Sequence, residues 1–318
     1  MIHLKRIKKN VFFSLILGLI IFIGLSIYSD YKKIVGLLFI FDYKYLPLIL
    51  ILAPLNYCFR YIKWNYYLKK VNINIDKKDN ILIFTSALTM TVTPGKVGEL
   101  LKSYLIKERN NIPISQTAPL VMTERLTDGI SMVILASFGA LIYNYGKGIL
   151  FFVISFMLTF IYLVQSPKIV NKLINLLGKI NIFKKHLESF KIFYQNTYIL
   201  FQIKPLLFAI IIGIVSWSFE GIIIFLTLKA MDTKISLLAS IFIVSFSSIV
   251  GAVSMLPGGI FAAEGSIFGL LLLIEIPKDI ATVTTIITRF STLWLGVFIG
   301  IIALFLVQKR VYIEGEIV

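Results

Sequence analysis

Apolar residues fall into long runs separated by short polar clusters, and the lengths of the runs predict the elements. Residues 11–28 are uncharged and long enough to cross a ~30 Å hydrocarbon core. Residues 45–64 predict a second span, with Pro47 near its start, where proline is tolerated. It carries Arg60 and Lys63 and runs into Lys69, Lys70, Lys77 and Lys78. The apolar run 81–92 is too short to span. Pro94-Gly95 breaks it, and 97–106 returns to Lys102, Lys107 and Arg109. Basic residues at both ends place both on the cytoplasmic side, so 81–106 reads as a re-entrant hairpin; two short surface helices are the other reading. Residues 114–145 predict one long tilted helix holding Glu124, Arg125 and Asp128, and 149–166 returns after a short outer turn.

From Lys168 to Lys204 the pattern changes. Lys172, Lys179, Lys184, Lys185 and Lys191 alternate with Leu, Ile and Phe, as in a surface helix lying on an anionic leaflet, or in a solvated basic loop. Residues 205–228 are a further span with Trp217 and Glu220. The run 237–254, Pro257-Gly258-Gly259 and the run 260–274 make a second interrupted segment. The last span, 282–307, carries Arg289 and a Gly296/Gly300 small-xxx-small pair, and Lys309-Arg310 mark a cytoplasmic end.

The expected fold is an all-α polytopic membrane protein of about six transmembrane helices plus two opposed re-entrant helical hairpins in an inverted repeat. One integral membrane domain, 1–318, divides into an N-terminal span and outer loop (1–44) and a first repeat (45–145, hairpin 81–106). A connecting span and basic segment (146–204), a second repeat (205–307, hairpin 237–274) and a cytoplasmic tail (308–318) follow. Three crossings between the starts of the two repeats invert the second relative to the first, and both termini are expected in the cytoplasm of a multi-pass cell-membrane protein.

Composition narrows the class. The chain has 318 residues, is 58% hydrophobic and has a mean hydropathy of +0.89, more apolar surface than a soluble core uses. The net charge of +16 sits in short loops between apolar runs, which favours anionic headgroups as partner over nucleic acid. One cysteine, Cys58, excludes an internal disulfide and reads as packing among Tyr57, Phe59 and Tyr61; with two histidines no Cys/His metal cluster is expected, and no cofactor is implied. The sequence is compatible with a homo-oligomer.

The chemistry concentrates at the two breaks. Lipid gives a broken helix no hydrogen-bond partners, so such a break persists only inside protein or beside a wet cavity, and an intramembrane carboxylate is costly. Glu99 follows Pro94-Gly95-Lys96, and Glu264 follows Pro257-Gly258-Gly259; Arg125 and Arg289 come 26 and 25 residues later, the offset a repeat gives. Helix N-termini after the breaks would aim N–H groups at an anion, and the arginines can hold a phosphate bidentately. Fixed Glu99–Arg125 and Glu264–Arg289 ion pairs are the structural alternative. Arg60 and Glu220 are further site candidates. Lys96 lacks the GxxxxGK[ST] frame of a nucleotide loop. Glu124 and Asp128 read as a solvated helix end, or as partners of Lys102 or Arg109.

Arg60–Trp64, Thr93-Pro94-Gly95-Lys96-Val97-Gly98-Glu99 with Lys102 and Tyr104, Glu124-Arg125 with Asp128, Leu256-Pro257-Gly258-Gly259 with Glu264, and Arg289 together carry a resemblance. The chain, from about 45 to 307, resembles the flippase-like transmembrane region of lysylphosphatidylglycerol synthases and the stand-alone membrane proteins grouped with it. The resemblance implies movement of lipid between leaflets. The family's soluble aminoacyl-transferring domain is not in these 318 residues, which argues against a complete synthase, and Phe261 stands where glycine is expected. The leading expectation is translocation of an anionic lipid, a phospholipid or polyprenyl-phosphate carrier, with the bilayer and that lipid as partners. A membrane enzyme acting on lipid-linked substrates and a secondary transporter for a small anion remain open.

Overall fold

A computed structural model describes residues 30–143 and 146–315 and single positions between 16 and 27, without the side chains of 31, 94–96, 142–143, 181–182 and 308–315. The expected first span, 11–28, lies largely outside the described residues, as does the Lys96 side chain.

Every element is helical: α1 Tyr31–Ile40, α2 Leu46–Lys70, α3 Lys77–Ser86, α4 Leu101–Asn110, α5 Ile114–Tyr143, α6 Lys147–Val164, α7 Pro167–Leu177, α8 Asn181–Lys184, α9 Leu187–Leu200, α10 Ile203–Lys229, α11 Leu237–Val253, α12 Ala262–Leu273, α13 Lys278–Arg289 and α14 Leu295–Gly315. Among the described residues four stretches are long and apolar enough to cross a membrane, Tyr43–Lys70, Lys147–Val164, Ile203–Lys229 and Lys278–Val307. The 30-residue α5 matches the longest of these but holds three charges. Helix α1 occupies part of what the sequence reads as outer loop; Asp30 caps it by accepting from Lys32 N. The basic segment after α6 is helical, not a loop: α7 to α9 fold there.

Helix α10 packs on α2, α5 and α11, and α14 packs on α3 and the 3-10 turn that follows it. Two apolar clusters form. Ile49, Leu52 and Ala53 of α2 and Met132 to Ala140 of α5 enter one; Trp64, Tyr67 and Leu68 of α2 and Leu120 and Val121 of α5 enter the other. On both helices the buried charges occupy the interval between the clusters, Arg60 and Lys63 on α2, Glu124 and Asp128 on α5.

The two breaks have different geometry. After α3, 3-10 turns run over Ala87–Val92 and Pro94–Leu100. Thr93 stitches them, its Oγ1 donating to Met90 O at 2.7 Å and accepting from Gly98 N at 2.9 Å. After α11, Gly258 and Gly259 take φ of +62° and +64° and Phe261 takes φ +70°, ψ −49°. Glycine adopts such values freely and phenylalanine does not. The expected glycine at 261 is therefore the residue this backbone suits, and Phe261 holds the turn under strain of about 1–3 kcal/mol. Phe261→Gly, at a half-exposed position, is expected to raise or leave unchanged the thermal midpoint in detergent. Gly259→Ala, whose new Cβ would stand 3.0 Å from Gly251 Cα, is expected to lower it.

The last span is interrupted by a π turn, Phe290–Trp294, immediately after Arg289. Tyr57 Oη donates to Thr292 O there at 2.6 Å, tying α2 to the π turn. Gly296 and Gly300 lie beyond it. A Cβ on Gly300 would collide with the Thr89 backbone, so this glycine lets α14 lie against the first broken segment. Gly300→Ala is expected to cost about 1–3 kcal/mol, read as a lowered thermal midpoint.

Cys58 is exposed, on the outward face of α2, contrary to the packing expected from its aromatic neighbours in sequence.

Candidate functional site

The tips of the two broken segments touch: a Cβ added to Gly258 would lie 3.4 Å from Val92 Cα and 3.5 Å from Leu293. Beneath that junction lies a cavity of about 610 Å³, lined by Arg60, Arg125, Asp128, Glu220 and Arg289 on its charged side. Thr93, Gly258 and Gly259 also border it. The helices after the breaks begin later than the sequence implies, at Leu101 and Ala262, because 3-10 turns follow each proline. Their ends remain near the cavity, which Leu100 and Ala263 line.

Arg125 belongs to a buried network. Its Nη1 stands 3.2 Å from Glu99 Oε1, and its Nη2 stands 2.7 Å from Glu124 Oε1 and 2.8 Å from Asp128 Oδ2. Arg60 reaches Glu124 at 3.3 Å, Glu99 at 3.6 Å and Asp128 at 3.8 Å. Lys63 pairs with Asp128, and Lys102 with Glu124; the Lys102 ammonium also lies 4.4 Å from the Trp64 ring centroid, a cation–π contact. Four cations thus share three carboxylates, an excess of one positive charge in a region of low polarity, where charge is felt strongly. Arg125 is the most accessible member, its side chain 19% exposed against 5% or less for the others.

The second pair is simpler. Arg289 Nε donates to Glu264 Oε1 at 2.7 Å, and its Nη2 donates to Gly258 O at 2.8 Å. The guanidinium is thereby tied both to the first turn of α12 and to the strained tip. Glu220 is buried and accepts from Asn56 Nδ2 at 3.4 Å, while Asn56 also donates to Ser216 O at 2.8 Å.

Of the residues singled out from sequence, Arg60, Arg125, Glu220, Gly258, Gly259 and Arg289 border the cavity, and Glu99 and Glu264 stand behind, bonded to its arginines. Of the two expectations for Glu124 and Asp128, the solvated helix end is corrected, both being fully buried among cations, while the pairing with Lys102 holds for Glu124; Arg109 pairs instead with Asp79 at 3.0 Å. Lys102 is likewise interior, not part of a surface patch. Lys63, Tyr57 and Trp217 are site neighbours to which the sequence reading gave no role. One signal was available: Asn56, Arg60, Lys63 and Tyr67 fall on one face of α2, as do Glu124, Asp128 and Ser131 on α5.

The rest of the lining is largely apolar. Val121, Met122, Phe156, Met157, Phe160, Phe193 and Phe201 belong to it. Phe156 and Phe160, on α6, are also 61% and 38% exposed on the outside of the molecule, so the apolar arm reaches the face that a membrane protein turns to lipid.

Comparison with known proteins agrees with the sequence pattern. A UPF0104 membrane protein of Methanocaldococcus jannaschii is similar at 23% identity over 237 residues, 71% of this chain and 97% of that protein. One from Methanothermobacter thermautotrophicus is 23% identical over 323 residues, 94% and 93% of the two chains. A second from M. jannaschii is 21% identical over 334 residues, covering 98% of each. The family model described as the lysylphosphatidylglycerol synthase TM region matches residues 15–300, and the chain belongs to that family of multi-pass membrane proteins.

Proposed function

We propose that the protein moves an anionic lipid, a phospholipid or a polyprenyl-phosphate carrier, between the leaflets of the membrane. The observation that carries this reading is one cavity lined both by Arg60, Arg125 and Arg289 and by aromatic side chains of which Phe156 and Phe160 are also exposed. A phosphate would take the place of carboxylates on Arg125 and Arg289, while the chains stay in the apolar arm. Arginine is suited to that exchange because its planar fork meets carboxylate and phosphate with the same geometry. Glu99 and Glu264 then keep the guanidinium groups neutralised and aimed when no headgroup is present.

Purified protein in vesicles holding a fluorescent anionic phospholipid tests this. Transbilayer movement well above that of protein-free vesicles is expected; equal rates across several anionic lipids would count against the reading. Glu220→Gln removes a negative charge from the cavity wall and is expected to favour an anionic headgroup, speeding movement several-fold at limiting lipid.

The repeat organisation belongs to the same proposal. Units 45–145 and 205–307 would be inverted copies whose hairpins, 81–106 and 237–274, enter from opposite faces, flanked by the elements 1–44, 146–204 and 308–318. The Glu99–Arg125 and Glu264–Arg289 pairs, and the contact between tips, support it. Cysteines introduced by Lys78→Cys or Lys234→Cys on a Cys58→Ser background are expected to label from opposite sides with an impermeant maleimide. Labelling from the same side would contradict the inversion. A lipid-modifying enzyme is distinguished by product formation that is lost in Glu99→Gln while lipid movement persists.

A further inference from the structure

Between α6 and α10 runs the basic segment, of which α9 packs on α5. Residues 165–204 carry Lys168, Lys172, Lys179, Lys184, Lys185, Lys191 and Lys204 against one acid, Glu188. Helix α7 buries Ile174 but exposes Ile169, Leu173 and Leu176, and Ile180 in the turn after it is exposed too, all more than a third accessible. At spacings of four and three residues Ile169, Leu173 and Leu176 form one stripe, with Lys168 and Lys172 exposed on the same helix and Lys179 exposed just after it. Within the described chain nothing covers that stripe. Water would be a poor neighbour for it. A leaflet is a good one, because an apolar stripe flanked by lysines matches acyl chains beneath anionic headgroups.

The segment is also fastened to the cavity's apolar arm. Tyr194 Oη donates to Val164 O at 3.2 Å, where α6 ends, and Asn196 Nδ2 donates to Gln116 O at 2.9 Å, near the start of α5. Phe193 and Phe201 line the cavity, and the Phe201 ring lies 6.1 Å from that of Phe160. The surface helices and the wall of the cavity are therefore one mechanical unit.

We infer that residues 167–191 form an in-plane collar that docks on an anionic leaflet and links the leaflet's charge to the aromatic mouth of the cavity. Each exposed lysine near such a surface adds about 1 kcal/mol of attraction, roughly a fivefold change in partitioning. Docking is independent of whether lipid is translocated; the link to the mouth rests on the translocation reading.

The test uses the whole protein with Cys58→Ser and Leu173→Cys, the new thiol carrying an environment-sensitive fluorophore, in phosphatidylcholine vesicles with or without phosphatidylglycerol. Quenching by a nitroxide on the acyl chain is expected to rise several-fold with phosphatidylglycerol. It is expected to lose that dependence in Lys168→Gln/Lys172→Gln/Lys179→Gln and to keep it in the matching Lys→Arg triple variant. A fluorophore in water in both lipids, or equally deep in both, overturns the docking. Lipid movement measured on the same vesicles separates the two proposals: quenching that responds to charge while movement does not would sustain the collar and remove its link to the cavity.

Discussion

Glu124→Gln is expected to destabilise the protein by about 3–5 kcal/mol, the cost of stripping one partner from a buried ion pair. Glu124 is fully buried and in contact with Lys102, Arg60 and Arg125 at once. The glutamine keeps its shape but leaves four cations to share Glu99 and Asp128. Unfolding in detergent, followed by loss of helical signal, reads the effect. A second substitution distinguishes charge from packing: Lys102→Met in the same chain removes a stranded ammonium and is expected to recover a large part of the loss. A change below about 1 kcal/mol for Glu124→Gln alone would mean the network is hydrated and contributes little.

Arg289→Lys is expected to affect movement more than stability. It retains the charge and a contact to Glu264 but cannot hold Glu264 and Gly258 O together as the fork does. If a headgroup phosphate exchanges with Glu264 on that fork, losing a charge-assisted hydrogen bond of about 1.5–3 kcal/mol slows movement by roughly ten- to a hundredfold. The thermal midpoint should shift little, because one pair is perturbed and not a seven-membered network. Wild-type rates in Arg289→Lys, with Arg289→Ala merely unstable, would assign the pair a structural role.

The apolar runs and the two proline breaks were legible because each depends on local composition: twenty apolar residues span, and Pro-Gly stops a helix wherever it falls. The Glu–Arg spacings were legible because the same offset occurs twice. The charge network was not. The sequence puts Lys63 in the second span and Lys102 within reach of Glu124, but the positive-inside rule counts basic residues and does not see that both turn inward to one cluster. Arg60 and Lys63 lie well inside α2, which runs on to Lys70, and both are buried. The clue was the periodic face shared by Asn56, Arg60, Lys63 and Tyr67, which a search for apolar stripes overlooks because in a membrane the inward face is the polar one. Cys58 was misjudged for the converse reason: packing against aromatic neighbours was expected, but its face of α2 points outward. The π turn after Arg289 and the strain at Phe261 arise from tertiary fit, although the missing glycine at 261 marked the place.

Photo-labelling bears most directly on the claim that an anionic headgroup enters the cavity between the two broken segments. An anionic phospholipid with a diazirine in the headgroup should label Thr93, Trp217 or Leu293, and one with a diazirine near the end of a chain should label Phe156, Phe160 or Phe193, all cavity-lining residues. Both patterns should weaken in Arg125→Lys. If headgroup and chain probes alike mark only outward residues such as Phe39 and Phe151, no headgroup reaches the arginines and the account is wrong.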